Sequence, residues 1–343
     1  MPHDVLTPAI DALASGRDLS ADQAAEVLAV MMAGEASEVE IAAVLISLRT
    51  KGETVDELAG LARTMRELAT PVRPEREDLV DTAGTGGGRT TFNVSTTAAI
   101  IAAGAGCAVA KHGNRSATGL SGSADLLEAL GARLDLDPDA VARCVDEVGF
   151  GFMFAPAHHA ATRYVIPVRK ALAVRTIFNF LGPLTNPAGA GRQLIGVSDA
   201  RYQETMAGAL ALLGTDRALV VSSADGLDEM STSAPTNVVE VNGTTISRYE
   251  VTPEDMGLPR VPETVIVGGT PEHNAAVTRA ILAGEESPAR DIALLNAGAA
   301  IYAAGRAPDL RTGVHTAAEA VDDGRAREAL AAYVELSQEL SPS

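Results

Sequence analysis

Residues 78–116 read DLVDTAGTGGGRTTFNVSTTAAIIAAGAGCAVAKHGNRS, and this stretch decides the fold. The run DLVDT leads into the loop Gly84-Thr85-Gly86-Gly87-Gly88. A segment of helical composition follows from Ser95 to about Ala105, then a second short apolar run, CAVA. Strand, helix and strand in that order form a βαβ unit and commit the chain to a mainly parallel sheet. Glycines let a backbone approach a ligand closely, and the start of a helix favours an anion. The loop is not a Walker A loop, since no Gly-Lys-Ser/Thr follows, nor a GxGxxG turn, since Arg89 stands where the third glycine belongs. Taken alone it serves equally well as a tight strand-to-helix connection. Lys111-His112-Gly113-Asn114-Arg115-Ser116 follows CAVA and is expected to be the loop of the adjacent strand, facing the same crevice. A solvated polar loop explains Arg115 and Ser116, but explains Lys111, His112 and Asn114 around one glycine less well. Ser123 begins the next helix, as an N-cap or as a further hydroxyl for a ligand.

Towards the C-terminus the alternation continues through the helices SADLLEALG and PDAVARCVDEVG, the strands FGFMFA and RQLIGVS, the helix RYQETMAGALALLG and the strand ALVVSS. NVVEV, Asn242-Gly243 and TTISRYEV predict a hairpin. Towards the N-terminus, residues 1–70 read as four short helices. Thr7-Pro8 opens the first and Gly16 closes it. Ser20 with Gln23, Ser37 with Glu40 and Thr54 with Glu57 have capping-box spacing. Val55, Leu58, Leu61, Met65 and Leu68 form an apolar stripe on the fourth, and Pro71 and Pro74 mark a linker. Residues from about 160 to 187 read as a helix and a Gly/Pro-rich turn able to rejoin these helices. The expected α/β architecture is a small helical domain over 1–71, joined by about 160–187, and a larger α/β domain over 75–159 and 188–343.

A chain of 343 residues suits about two domains. Hydrophobic residues make up 46% but aromatics only 3%, with no Trp, so the core must be built from Ala, Val, Leu and Ile. Lys and Arg number 27 against 45 Asp and Glu, a net charge of −18 that argues against a nucleic-acid or anionic-membrane surface. Cys107 and Cys144 form neither a disulfide framework nor a CxxC pattern and are expected to be core thiols. The start MPHDVLTPAI lacks a basic region followed by an apolar run, and no stretch reaches the roughly 18 uninterrupted apolar residues of a membrane span. The cytoplasm is the expected location.

Asp228 and Glu229 lie side by side after ALVVSS, an arrangement that suits Mg²⁺ held by one or two carboxylates plus substrate phosphates. A solvated acidic turn is the alternative, and Asp225 fits either. His158-His159 precede Arg169, the residue type that grips a carboxylate in a fork. His159 and Arg169 are ten residues apart and share one side if a single helix joins them.

GTGGG with TFNVST, KHGNRS, GSAD, the span from FAPAHH through VRKALAVRTIFNFLGPLTNP, and SADGLDE stand in the order and approximate spacing of the anthranilate phosphoribosyltransferases. The resemblance covers nearly the whole chain, as far as Asn296-Ala297-Gly298-Ala299-Ala300, and RTIFNFLGPLTNP and KHGNRS are its most specific parts. It implies a nucleoside phosphorylase/phosphoribosyltransferase-like fold, a homodimer meeting through the helical domains, and a Mg²⁺-dependent step of tryptophan biosynthesis. In that step the ribosyl 5-phosphate group passes from phosphoribosyl pyrophosphate (PRPP) to anthranilate and pyrophosphate is released. By position, Gly84, Thr85, Gly86, Gly87, Asn93, Ser95, Thr96, Lys111 and Ser123 would hold PRPP. Ser95, Asp228 and Glu229 would hold Mg²⁺, and His112, Asn114, His159, Arg169 and Gly182 would line the anthranilate path. No residue is singled out as a catalytic base.

The chain departs from the family at the glycine loop, which usually reads Gly-Thr-Gly-Gly-Asp-Gly with one residue more. Here Gly88 takes the Asp position and Arg89 follows. Losing a carboxylate beside the phosphates is expected to leave PRPP binding at least as strong and high Mg²⁺ tolerated. Alternatively Gly88 merely tightens a shortened turn and Arg89 points to solvent. Two rival functions are a pyrimidine nucleoside phosphorylase, disfavoured by Asp228-Glu229 and RTIFNFLGPLTNP, and a non-catalytic nucleic-acid binder, disfavoured by the net charge.

Overall fold

One seven-stranded sheet organises the larger part of the computed structural model, which describes residues 3–116 and 119–342, so the expected domain ends at 1 and 343 lie outside it. The strands are β1 (Leu79–Gly84), β2 (Ala108–Gly113), β3 (Phe150–Phe154), β4 (Arg192–Gly196), β5 (Arg217–Ser223), β6 (Thr236–Asn242) and β7 (Thr245–Val251). Their order is β3-β2-β1-β4-β5-β6-β7, with β1 to β5 parallel and β6 and β7 antiparallel at one edge. The chain winds outward from β1 to β3 and then returns to place β4 on the other side of β1. Loops after β1 and β4 therefore diverge at a switch point, where doubly wound sheets open a ligand crevice.

Strand alternation separates two cores. Leu219 and Val221 of β5 pack with the helices Val94–Gly104, Pro288–Ala303 and Leu310–Asp322, whereas Ala218 and Val220 pack on the side of the N-terminal helices. Alanine and glycine make the first core tight: a Cβ on Gly298 would lie 2.5 Å from the Val314 nitrogen. Cys107 and Cys144 are both buried free thiols, and burial pushes each to about 12.

The four N-terminal helices are Leu6–Ala14, Ala21–Ala33, Glu38–Lys51 and Val55–Glu67, and all three expected capping boxes form. The first helix starts before Thr7: His3 Nδ1 accepts from the Val5 nitrogen at 3.1 Å, so an imidazole does the work expected of Thr7. Leu68 lies past the end of the fourth helix and is exposed. Residues 160–187 form no single helix. They break into a 3-10 turn (Ala160–Tyr164) and the helices Ile166–Leu172 and Phe178–Leu184, whose Val165, Val168, Phe180 and Leu184 join the core of the N-terminal helices. The hairpin turn is centred one residue later than expected, on Gly243-Thr244, with Asn242 paired to Thr245. Gly243 takes the left-handed φ of 56° that a two-residue turn demands at its first position.

Candidate active site

Three sequence expectations shift at the crevice. β2 continues past CAVA to Gly113, so Lys111 and His112 are strand residues rather than loop residues. The helix expected from Ser95 starts at Val94, with Asn93 in the cap position and Ser95 in the first turn. Ser123 is the first helical residue after Gly122 and caps nothing; Asp125 Oδ2 accepts from the Gly122 and Ser116 nitrogens instead.

Gly86 and Gly87, with φ of 67° and 79°, turn the chain at the end of β1 in a region that other residues seldom occupy. The Gly86 N–H donates to Asp228 Oδ2 at 2.9 Å, joining the glycine loop to the acidic turn. On the β4 side, Ser198 donates through Oγ to the Gly86 carbonyl (2.9 Å) and receives Arg175 Nη1 (2.9 Å), whose guanidinium lies directly against Gly87. Gly196 lets Asp228 approach, since a Cβ there would run into the Asp228 carbonyl oxygen. A Cβ on Gly88 would sit 2.8 Å from Asp228 Oδ1 and 2.9 Å from the Gly226 carbonyl. Arg89 does not point to solvent but pairs with Asp225 Oδ2 at 3.2 Å.

The polar groups around this loop sort by charge. Lys111 is fully buried and donates to the carbonyl and Oγ1 of Thr82, with Ser95 Oγ 3.4 Å away. Burial lowers its pKa, while the Asp81 and Glu229 carboxylates oppose that fall. Burial, reinforced by the Asp228 charge, pushes Glu229 up to about 8, and burial also raises Asp228. Two adjacent carboxylates thus sit beside a hydroxyl and one ammonium with less cation than they need. Among the described residues, no three His, Cys, Asp or Glu side chains converge as a ready-made metal cage. The donors are all oxygens, which fits Mg²⁺ completing its shell from substrate and water. Asn93 is engaged by Ser121 and Asn274, and Thr96 is buried with its hydroxyl unpartnered.

The opposite face of β2 is different in kind. The imidazoles of His112 and His159 lie with ring centroids 5.1 Å apart, and the Nε2 of each is buried without a hydrogen-bond partner among the described residues. His112 Nδ1 lies 3.3 Å from the Gly182 carbonyl. Burial holds His112 down at about 3 and His159 at about 4, so both are neutral at pH 7. His158 is occupied by the Thr70 carbonyl at 2.9 Å. The expected continuous helix from His159 to Arg169 is absent, because His159 leaves helical geometry (φ −116°, ψ 53°) and Pro167 starts a new helix. Arg169 is half-buried with its guanidinium 5.4 Å from the Phe178 ring, in no ion pair among the described residues. Asn114 lies exposed past β2, its Oδ1 accepting from the Arg115 nitrogen. Arg115 is a surface partner of Asp125 and Glu128.

Arg175, Ser198 and Asn274 are residues that sequence reading misses, and it singles out Arg89 and Asp225 without pairing them. Only Ser198 carries a signal, standing just past β4 at the switch point.

Known proteins supply the rest. Residues 7–69 match the helical bundle domain of a glycosyl transferase family and residues 76–327 match its a/b domain. The chain is 53% identical over 329 residues to an anthranilate phosphoribosyltransferase from Symbiobacterium thermophilum, covering 96% of each. The crystal structure of such an enzyme from Thermus thermophilus superposes with a TM-score of 0.92 at 46% identity, over 96% of this chain and 99% of that one. The Saccharomyces cerevisiae enzyme in complex with PRPP and Mg superposes with a TM-score of 0.90 at 25% identity, covering 99% of each. Identity near one half along almost the full length, on a shared two-part fold, carries one assignment: this chain belongs to the anthranilate phosphoribosyltransferases.

Proposed function

We propose that the protein transfers the ribosyl 5-phosphate group of PRPP to the amine of anthranilate, in tryptophan biosynthesis. The bond from the anomeric carbon to the pyrophosphate oxygen breaks with its electron pair leaving on pyrophosphate, a carbon–nitrogen bond forms, and the amine gives up a proton to solvent. The observation that supports this reading is the two-sided β2, with Lys111 among the oxygens of Thr82 and Ser95 on one face and the paired, neutral imidazoles of His112 and His159 on the other. PRPP belongs on the first side, held by Gly84, Thr85, Gly86, Gly87, Asn93, Ser95, Thr96, Lys111 and Ser123. Asn93 contributes by fixing the loop, because its amide is already engaged by Ser121 and Asn274. Anthranilate belongs on the second, between His112, Asn114, His159, Arg169 and Gly182. Arg169, desolvated and without an ion pair, suits an ortho carboxylate.

Ser95, Asp228 and Glu229 are the groups that would hold Mg²⁺. When bound, it would neutralise negative charge gathering on the departing pyrophosphate. Lys111 supplies fixed positive charge on the same side, in a position set before substrate arrives. Neutral imidazoles place no positive charge beside the acceptor's aromatic amine. Holding the two reactants in line accounts for roughly 7–11 kcal/mol of the barrier at best.

The helical domain, residues 1–71 with 160–187, meets its copy in a homodimer. Val39 (79% exposed) and Ile46 (36%), one heptad apart on Glu38–Lys51, present apolar surface beside the helix Ile166–Leu172, where Ile166 is also exposed. The enzyme works in the cytoplasm. Among the described residues no helix is long and apolar enough to cross a membrane, and a net charge of −18 repels nucleic acid. Loss of anthranilate fluorescence on mixing protein, PRPP, Mg²⁺ and anthranilate tests the reaction. Fluorescence that stays unchanged with folded protein overturns it.

A further inference from the structure

Two ties hold the glycine loop against the acidic turn, and they differ in what substrate would do to them. The first, Gly86 N–H to Asp228 Oδ2, uses a carboxylate proposed to hold the cation and an amide proposed to hold a phosphate, so ligands would take over both ends. The second is Arg89. Its Nη2 lies 3.2 Å from Asp225 Oδ2, and its Nη1 donates to the Glu263 carbonyl at 2.6 Å and lies 3.4 Å from Glu263 Oε2. Asp225 is itself fixed: Oδ2 accepts from Ser231 Oγ at 2.8 Å and Oδ1 from the Leu227 nitrogen at 3.3 Å. Exposed ion pairs contribute little, but here the side chains are only 25% and 8% exposed. A planar guanidinium with two fixed acceptors loses less freedom per hydrogen bond than an ammonium would.

We propose that Arg89 is a positioning residue that holds the glycine loop onto the Asp225–Glu229 turn before any ligand binds, so that phosphate and cation ligands are already assembled. The tie spans three separate chain segments and contains none of the groups assigned to PRPP or Mg²⁺, so it persists when the first tie is exchanged for substrate. The inference rests on the transferase reading for its effect on PRPP, but not for its effect on the ligand-free loop.

The test uses the full chain with Arg89→Ala, Arg89→Lys and Asp225→Asn. Amide hydrogen exchange over residues 85–92 of the ligand-free protein is expected to quicken by about tenfold in Arg89→Ala, as local opening becomes easier. PRPP affinity at saturating Mg²⁺, measured by titration calorimetry, is expected to fall by about tenfold, with KM for anthranilate within about twofold of the parent. Arg89→Lys restores part of both losses. The double variant Arg89→Ala/Asp225→Asn is no worse than the poorer single variant, since both remove one tie. Unchanged exchange in Arg89→Ala overturns the proposal, and if PRPP affinity falls all the same, Arg89 touches the substrate instead. Faster exchange in a protein whose parent binds no PRPP upholds the tie and overturns the transferase reading.

Discussion

Lys111 and His112 are neighbours in sequence and opposites in surroundings. Lys111 donates to the carbonyl and hydroxyl of Thr82 with Ser95 Oγ nearby, and stays buried because these oxygens and the negative charges of Asp81 and Glu229 compensate its desolvation. The His112 ring meets another imidazole and a carbonyl and burial keeps it neutral, while its backbone N–H donates to Asp81 Oδ1 at 3.1 Å. One residue of strand alternation thus separates a buried ammonium among oxygen donors from a buried imidazole beside a second imidazole. On the reading proposed above, both reactants would meet at one strand end, each with its own electrostatics. Damage to either side should then leave the other side's substrate largely unaffected.

The largest break in that comparison comes from Asp228→Asn with Glu229→Gln. Neutralising both carboxylates is expected to lower turnover by at least about a thousandfold, since the stabilisation of the leaving group is lost. Because burial already disfavours their charge, the variant should melt no lower than the parent. Steady-state rates across a Mg²⁺ titration and a thermal melt check both halves, and near-normal rates with unchanged metal dependence would restore the solvated acidic turn. On the acceptor side, Arg169→Ala is expected to raise KM for anthranilate by about ten- to a hundredfold, the worth of one charge-assisted hydrogen bond, and to spare KM for PRPP. A collapse of PRPP affinity instead would overturn the assignment of Arg169 to anthranilate.

A third prediction sharpens the comparison through pH. A free imidazole titrates near 6.5, whereas His112 is held at about 3 and His159 at about 4. Between pH 6.5 and 4 the unfolded chain therefore takes up protons that the folded pocket refuses, and stability falls as pH drops. His112→Gln removes one such group. Its melting temperature relative to the parent should move upward as pH falls from 7 to 5, by about 2 °C or more. Parallel melting curves for variant and parent would mean that the pocket admits water and protons.

Much of the fold and part of the site are legible in the amino-acid sequence. Serine or threonine followed three residues later by Gln or Glu is a local hydrogen-bonding device, so the boxes at Ser20, Ser37 and Thr54 form as written. The glycine loop, the following helix and the Asp228-Glu229 pair are also local signals. Sequence alone puts Lys111 and His112 in a loop because polar residues at a strand end look solvated, and what buries them comes from elsewhere: Asp81, Thr82, Ser95 and Gly182. Arg89 and Glu263 are 174 positions apart, and no spacing rule reaches that far. The turn at His159 and Pro167 defeats a helix projection because one proline restarts a helix without changing its apolar content.

The smallest expected effect concerns Gly88, and the geometry changes what a substitution there would report. An Asp installed at 88 meets two obstacles at once: its Cβ would crowd the Gly226 carbonyl and Asp228 Oδ1, and its charge would join two carboxylates that burial already pushes towards the protonated form. Gly88→Ala presents the crowding without the charge. A loop that yields by a few tenths of an ångström should give Gly88→Ala a loss of about twofold or less in PRPP affinity, while Gly88→Asp loses about fivefold and needs more Mg²⁺ for half-maximal rate, because a third carboxylate repels the phosphates and competes for the cation. Equal losses in the two variants would assign the whole effect to the tight turn. Equal affinity in all three proteins would mean that the loop moves freely away from Asp228, and the electrostatic account of Gly88 would fall while the contrast between the two faces of β2 stood.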